Sequence, residues 1–446
     1  MKIRFKWLLL AGIMFAAVGC NKEEEPALDL QVTTKPVTNL TAFSAMGGGS
    51  VSGTEPISER GICWGKSENP TVDDASASDI DPVEGDYSSK IVKLDPATKY
   101  YVRAYAVSTS GKTIYGNSLN FTTPDVVALS ESNSYLANPD DAIIIPVSRA
   151  NKSSLGEQIS SNDVLVAELL WMDNMDVIDT VFVNGTGSTG KVVVLTGNVS
   201  GNAVVTVKVN NSIKWSWHIW VTQGANTIST ITMPSGAKLM DRNLGAVSKT
   251  ISEIGAVGVQ FQFGRKDPFT ASASFGTPSE VLLYDLAGNN PSIATETGPK
   301  NLAFITANPL TFVKSQWVDW CDQDIKTWWK NEDGTKTVYD PCPQGWRVPA
   351  IEDYASLADE HFDKTVQGGH NFIYNSQSNY FPYTGYREVG GAMDATANYG
   401  TFWVNSVIPG ASGTASALSP SYGQGGTAAV NGAPRARALS IRCIKE

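Results

Sequence analysis

Ile213-Lys214-Trp215-Ser216-Trp217-His218-Ile219-Trp220-Val221-Thr222 reads as a single strand. With period 2, Trp215, Trp217, Ile219 and Val221 point one way, and Ser216, His218, Trp220 and Thr222 the other. Two tryptophans beside Ile and Val predict the inner face of a β-sandwich in preference to a sugar-stacking platform, because aromatic area stabilises most when buried. His218 reads as a locally satisfied strand histidine, not a ligand. Further strand-like runs lie upstream at 142–147, 163–171, 192–195 and 203–209, separated by turn residues. They define a β-rich block at 125–225.

A second β-rich block precedes it. In Lys99-Tyr100-Tyr101-Val102-Arg103-Ala104-Tyr105-Ala106-Val107, the set Tyr100, Val102, Ala104 and Ala106 is the smaller and more apolar, so it is expected inside. Leu94-Asp95-Pro96-Ala97-Thr98 reads as the turn before this strand and Ser110-Gly111-Lys112 as the hairpin after it. Together with Glu59-Arg60-Gly61-Ile62-Cys63-Trp64 and Tyr115-Gly116-Asn117-Ser118-Leu119-Asn120-Phe121-Thr122-Thr123, these segments make residues 35–124 resemble a fibronectin type III module. The block at 125–225, with Ser134-Tyr135-Leu136 near its start, resembles the immunoglobulin-like domain found ahead of lectin-like domains in Bacteroidota surface and fimbria-associated proteins. A seven-strand-type sandwich is implied.

Residues 226–446 carry several ordered motifs: Lys238-Leu239-Met240-Asp241-Arg242-Asn243-Leu244-Gly245-Ala246, Phe261-Gln262-Phe263-Gly264-Arg265-Lys266-Asp267-Pro268-Phe269, Asp340-Pro341-Cys342-Pro343-Gln344-Gly345-Trp346-Arg347-Val348-Pro349 and Ser440-Ile441-Arg442-Cys443-Ile444. These resemble the Fibrobacter succinogenes major paralogous domain, which implies an α+β, C-type-lectin-like fold with long irregular loops. Ile351, Tyr354, Ala355, Ala358 and Phe362 recur at helical spacing, with Glu352 and Asp353 in the first turn, and predict a helix after Pro349. Ala350 is a poor cap, so its start is expected to be weak. Trp317, Trp320 and Asp324 share a helical stripe, Asn331-Glu332-Asp333-Gly334 a turn. The Gly/Ala/Ser-rich chain beyond Gly385 is expected to run in surface loops.

The N-terminus is an address. Lys2, Arg4 and Lys6 precede an apolar run at 7–18, about 12 residues where a bilayer span needs roughly 20, so residues 1–19 read as a signal peptide. Ala17-Val18-Gly19-Cys20 resembles a bacterial lipobox, with Ala17 where Leu is usual; Cys20 would carry the lipid. Acyl chains on one residue anchor firmly, at about 0.8 kcal/mol per buried methylene. Asn21-Lys22-Glu23-Glu24-Glu25-Pro26 opens a tether expected to span 20–34 and resembles the surface-export signal of Bacteroidota lipoproteins. This implies a lipid-anchored protein of the outer membrane facing the cell exterior.

Loss of residues 1–19 removes Lys2, Arg4 and Lys6 and moves the net charge from −10 to −13, which gives no electrostatic case for nucleic acid. With 3 His and no HxxxH or CxxC spacing, neither a metal site nor a cofactor is expected. The sequence has no GxSxG, HExxH, Walker or Rossmann pattern, and no enzymatic activity is expected. The calcium-lectin tripeptides Glu-Pro-Asn, Gln-Pro-Asp and Trp-Asn-Asp do not occur; Phe402-Trp403-Val404-Asn405-Ser406 is similar instead to a strand of the paralogous family. That resemblance sets Cys342 and Cys443 at two anchoring motifs and implies a disulfide between them; the alternative is free buried thiols. Four mature cysteines allow three pairings, among which sequence does not choose. The whole chain reads as multi-domain and mainly β: fibronectin III-like and immunoglobulin-like β-sandwich modules, then an α+β C-type-lectin-like domain. The function expected is adhesin-like, non-catalytic binding of a glycan or a host or matrix protein, with Tyr383, Tyr386, Arg387 and Trp403 as contact residues. The alternative is a structural accessory or tip subunit among fimbrial subunits or in an envelope complex.

Overall fold

The computed structural model describes residues 29–79, 81–153, 158–316, 319–323, 328–394, 400–407, 414–419 and 429–446. Cys20 and the signal segment, with Trp317 and Asp324, lie outside them. The chain is multi-domain and mainly β, and it divides into two compact units.

The first unit is formed by residues up to 36, 47–89 and 101–120. Its strands are β1 (Leu30–Thr38), β2 (Ala45–Gly53), β3 (Ile57–Gly65), β4 (Ala75–Ser78), β5 (Gly85–Ile91), β6 (Lys99–Ser108), β7 (Thr113–Tyr115) and β8 (Leu119–Thr122). They make a sandwich of two sheets, β1-β2-β5 and β4-β3-β6-β7, with β8 also on β6. Among the described residues the first strand begins at Leu30, inside the expected tether. Tyr100, Val102, Ala104 and Ala106 are buried, as their face of β6 predicts. Tyr105 on the opposite face is buried too. It pairs with Gly61 across the sheet, where a Cβ would stand 2.7 Å from its hydroxyl, and it donates to Glu59 Oε1 at 2.6 Å. The missing side chain makes room for the ring.

The second unit holds residues 121–446 with 37–46 and 90–100. Its first half contains β9 (Ser134–Ala137), β10 (Ala142–Pro146), β11 (Leu165–Met172), β12 (Ile178–Asn184), β13 (Lys191–Thr196), β14 (Gly201–Val209) and β15 (Ser212–Val221). Sheet β10-β13-β12 opposes sheet β11-β14-β15-β9, in which β9 runs parallel to β15. Asn210 and Asn211 both take positive φ, at 48° and 65°, in the tight turn that joins β14 to β15.

Both faces of β15 are buried. Trp215, Trp217, Ile219 and Val221 belong to one apolar cluster with Ile143, Ile145, Val192 and Val194. The other face meets residues beyond 225: Ser216 Oγ donates to Asp267 Oδ1 at 2.5 Å, and Trp220 Nε1 to Ala246 O at 3.1 Å. Near β9, Ser134 Oγ donates to Pro341 O at 2.6 Å and Asn133 Nδ2 to Asp340 O at 2.8 Å. The cluster continues without a break through Leu244, Phe261, Trp320, Trp403 and Cys443, so the blocks at 125–225 and 226–446 share a single core.

His218 lies within this contact. Asn202 commits its Nδ2 to Asp173 Oδ2 (2.8 Å) and Gly245 O (3.0 Å), so its Oδ1 faces His218 Nε2 at 3.0 Å and calls for the proton there. Ser134 Oγ, whose proton goes to Pro341 O, stands 3.0 Å from Nδ1. Burial pushes the imidazole down to about 3 and the Asp173 carboxyl up to about 6.

Residues beyond 225 form a four-stranded sheet ordered Thr230–Thr232, Lys238–Met240, Ile444–Lys445, Trp346–Arg347. A larger sheet runs Phe269–Thr270, Val259–Gln262, Ala438–Ser440, Phe402–Val407, Thr414–Ser419, Ala429–Pro434. The last two correct the expectation of loops beyond Gly385. Their Ala- and Ser-rich chain pairs through a backbone ladder from Thr414↔Pro434 to Ser419↔Ala429, with few of the β-branched side chains that announce a strand. The helix expected after Pro349 is also corrected. Ile351–Tyr354 and Asp359–His361 are single 3-10 turns. The Asp353 carboxylate folds back onto the Ala350 N–H (2.6 Å) and the Arg347 fork (2.7 and 3.0 Å), and Ser356 takes a left-handed φ of 63° that stops the helix.

Candidate functional site

The four expected contact residues do not converge on one exposed surface. Trp403 is fully buried, donates from Nε1 to Phe261 O at 2.6 Å and packs edge-on against Phe263, so it is a core residue. Arg387 is 3% exposed, held on Glu280 in a two-pronged ion pair, and offers no free fork. Tyr386 is half-buried beneath the Arg437 guanidinium, 4.5 Å from its ring centre. Tyr383 is half-buried and meets His370 edge-to-face at 5.2 Å. Cys342 and Cys443 are joined as a disulfide with their Cα atoms 6.0 Å apart. Cys63 and Cys321 are buried free thiols, pushed up by burial to about 11 and about 12.

A polar cleft of about 420 Å³ lies elsewhere in this unit, between Ser229–Asp241 and the hairpin at 369–382. Asn375 and Ser376 close that hairpin with left-handed φ values of 49° and 62°. Thr232 N–H donates to Gln377 Oε1 at 2.8 Å and ties the two walls together. The floor is built from below by Arg442, whose Nη1 reaches Asn379 Oδ1 at 2.5 Å while its Nε holds Asn243 Oδ1 at 2.7 Å. This fixes the Asn379 amide, which donates from Nδ2 to Asp241 O at 2.7 Å. Arg442 lies 3.9 Å over the Phe381 ring, and full burial lowers it to about 9.

Asp241 supplies the charge. Burial would raise its carboxyl, but hydrogen bonds from Arg242 and Ser229, with the charges of Arg242 and Lys249, outweigh that and hold it below the usual range. It is therefore an acceptor at neutral pH and not a general acid. Among the described residues that line the cleft it is the one carboxylate. Asn371 Oδ1 takes the Ser378 hydroxyl at 2.9 Å. Among the described residues, no hydrogen bond joins Asn371 Nδ2 or Gln377 Nε2 to another protein group. No group of three His, Cys, Asp or Glu residues is placed to hold a metal among the described residues.

Sequence reasoning missed Asn371, Gln377 and Asn379. Asp241 and Arg442 stood in quoted motifs without a role. The available signal was their charge beside apolar strands: Asp241 directly follows Lys238–Met240, and Arg442 lies between Ala438–Ser440 and Ile444–Lys445.

No known protein family and no curated protein matches the chain. Solved structures similar to parts of it include the sixth fibronectin type III domain of human fibronectin type III domain containing protein 3. That domain is 25% identical over 22% of this chain and 89% of its own, with a TM-score of 0.18. The fibronectin(III)-like modules of Clostridium thermocellum CbhA are 16% identical, over 43% and 94%, with a TM-score of 0.17. The chicken CNTN1 FN1–FN3 domains are 16% identical, over 43% and 66%, with a TM-score of 0.17. At these scores they carry no argument about the site.

Proposed function

We propose that this is a lipid-anchored, outward-facing protein of the bacterial outer membrane. It binds a hydroxyl-rich glycan, without catalysis, in the cleft floored by Asp241 and Asn379. The cleft carries the reading. It sets a fixed amide, a low-pKa carboxylate, an ammonium group and two unpaired amide donors around a volume suited to one or two sugar rings, and rings of hydroxyls need such mixed donors and acceptors. The anchor rests on Cys20 and the charged residues 22–25 behind it. The strand-rich modules between anchor and cleft would serve as a stalk.

The test is a panel of immobilised glycans and matrix proteins probed with the whole mature chain. A double variant, Asn371→Ala with Gln377→Ala, removes two ligand hydrogen bonds of about 0.5–1.5 kcal/mol each, along with the contacts from Ser378 and Thr232, a loss of at least about fivefold and up to about 150-fold from the ligand bonds alone. Binding of matrix protein only, or glycan binding unchanged in the variant, would refute the proposal.

A further inference from the structure

Arg387 and Glu280 form an uneven pair. The arginine belongs to the fold: it sits on the short strand Tyr386–Arg387, in register with Ala438, and its side chain is 4% exposed. Nη1 also donates to Gly391 O at 3.0 Å, which fixes the fork before any acid arrives. Glu280 comes from an irregular, exposed segment, and its side chain is 57% exposed. Its two oxygens accept from Nη1 and Nη2, each at 2.8 Å, the arrangement by which guanidinium recognises any carboxylate. A preorganised buried fork has thus met a carboxylate held by little else.

Beside the pair is a cavity of about 410 Å³, walled by Val281, Leu282, Leu283, Pro291, Ile293 and Phe312. Leu282 is 55% exposed. Apolar surface running up to a carboxylate-binding fork has the make-up of a small-ligand site, in which one polar anchor orients an apolar body. We propose that Arg387 is the anchor of a second site, which takes a small monocarboxylate with an apolar tail and is held shut by Glu280 acting as an internal ligand. A carboxylate from solution exchanges with Glu280, whose own carboxylate moves into water, so charge is conserved and no bond is made or broken. This site does not depend on the polar cleft.

Calorimetry of the whole chain with hexanoate, hexanamide and acetate tests the assignment. Glu280→Ala frees the fork and should bind hexanoate at least tenfold more tightly than wild type, with no matching gain for hexanamide. Leu282→Ser, at an exposed wall, should weaken hexanoate several-fold and leave acetate unchanged. If Glu280→Ala does not fold, Glu280→Asp, which keeps the charge on a shorter arm, should still bind hexanoate more tightly than wild type. Equal hexanoate affinity in wild type and the folded Glu280 variant would overturn the proposal, as would equal gains for acid and amide.

Discussion

Replacing Trp220 probes the shared core directly. The indole is fully buried on the face of β15 turned toward residues beyond 225, and its Nε1 donates to Ala246 O at 3.1 Å. Trp220→Ala removes packing worth about 3–5 kcal/mol and leaves a buried carbonyl unpaired at about 1–3 kcal/mol more, so a total of about 4–8 kcal/mol is expected. Trp220→Phe keeps most of the ring contact and should lose about 1–3 kcal/mol, mainly through the hydrogen bond. Urea unfolding followed by circular dichroism measures both. Because 125–225 and 226–446 share the core, their unfolding should appear as one transition that shifts as a whole. A loss below about 1.5 kcal/mol for the alanine variant would refute the reasoning. So would separate transitions for 125–225 and 226–446 of which only one moves, over and above any transition of the first unit.

Three further outcomes follow from the structure and the sequence. The Cys342–Cys443 bridge spans 101 residues, so Cys443→Ala should cost up to about 4.7 kcal/mol on the chain-entropy estimate, read as a lower urea midpoint. His218 has a folded pKa below its unfolded value of about 6.5, so its contribution is present above pH 6.5 and lost as pH falls toward 3. The stability difference between wild type and His218→Gln should therefore shrink on acidification, by at most about 1.4 kcal/mol per pH unit, in urea curves taken from pH 7 to 4. Asp173, with its raised pKa of about 6, acts in the opposite sense in both proteins and drops out of that difference. Cys20→Ala should move the protein from the membrane fraction to the soluble fraction on cell fractionation, since the acyl chains are its proposed hold on the bilayer.

What was legible in the sequence was local. The period-2 pattern of β15 and β6 identified strands and their apolar faces because that pattern is carried by neighbours two residues apart. The fate of the second face of β15 was not legible. Ser216 and Trp220 are satisfied by Asp267 and Ala246, partners defined only by the fold. The helix forecast after Pro349 failed for a related reason: apolar spacing was right, but Asp353 turned back to Arg347 and Ser356 went left-handed. Arg387 was chosen by chemistry on a segment taken for a loop, and Trp403 on one likened to a strand; pairing of Arg387 with Ala438 and of Trp403 with Ala417 in the larger sheet buried them. The cleft was invisible because Asp241 and Gln377 lie far apart in sequence, and an aspartate or glutamine alone is commonplace on a surface.

Hydrogen exchange of the whole chain, with and without the tightest glycan from the panel, tests the central claim most directly. The account predicts slowed exchange at residues 229–241 and 369–380, with the sandwich modules unchanged. Protection confined to other segments, or none at saturating ligand, would contradict it.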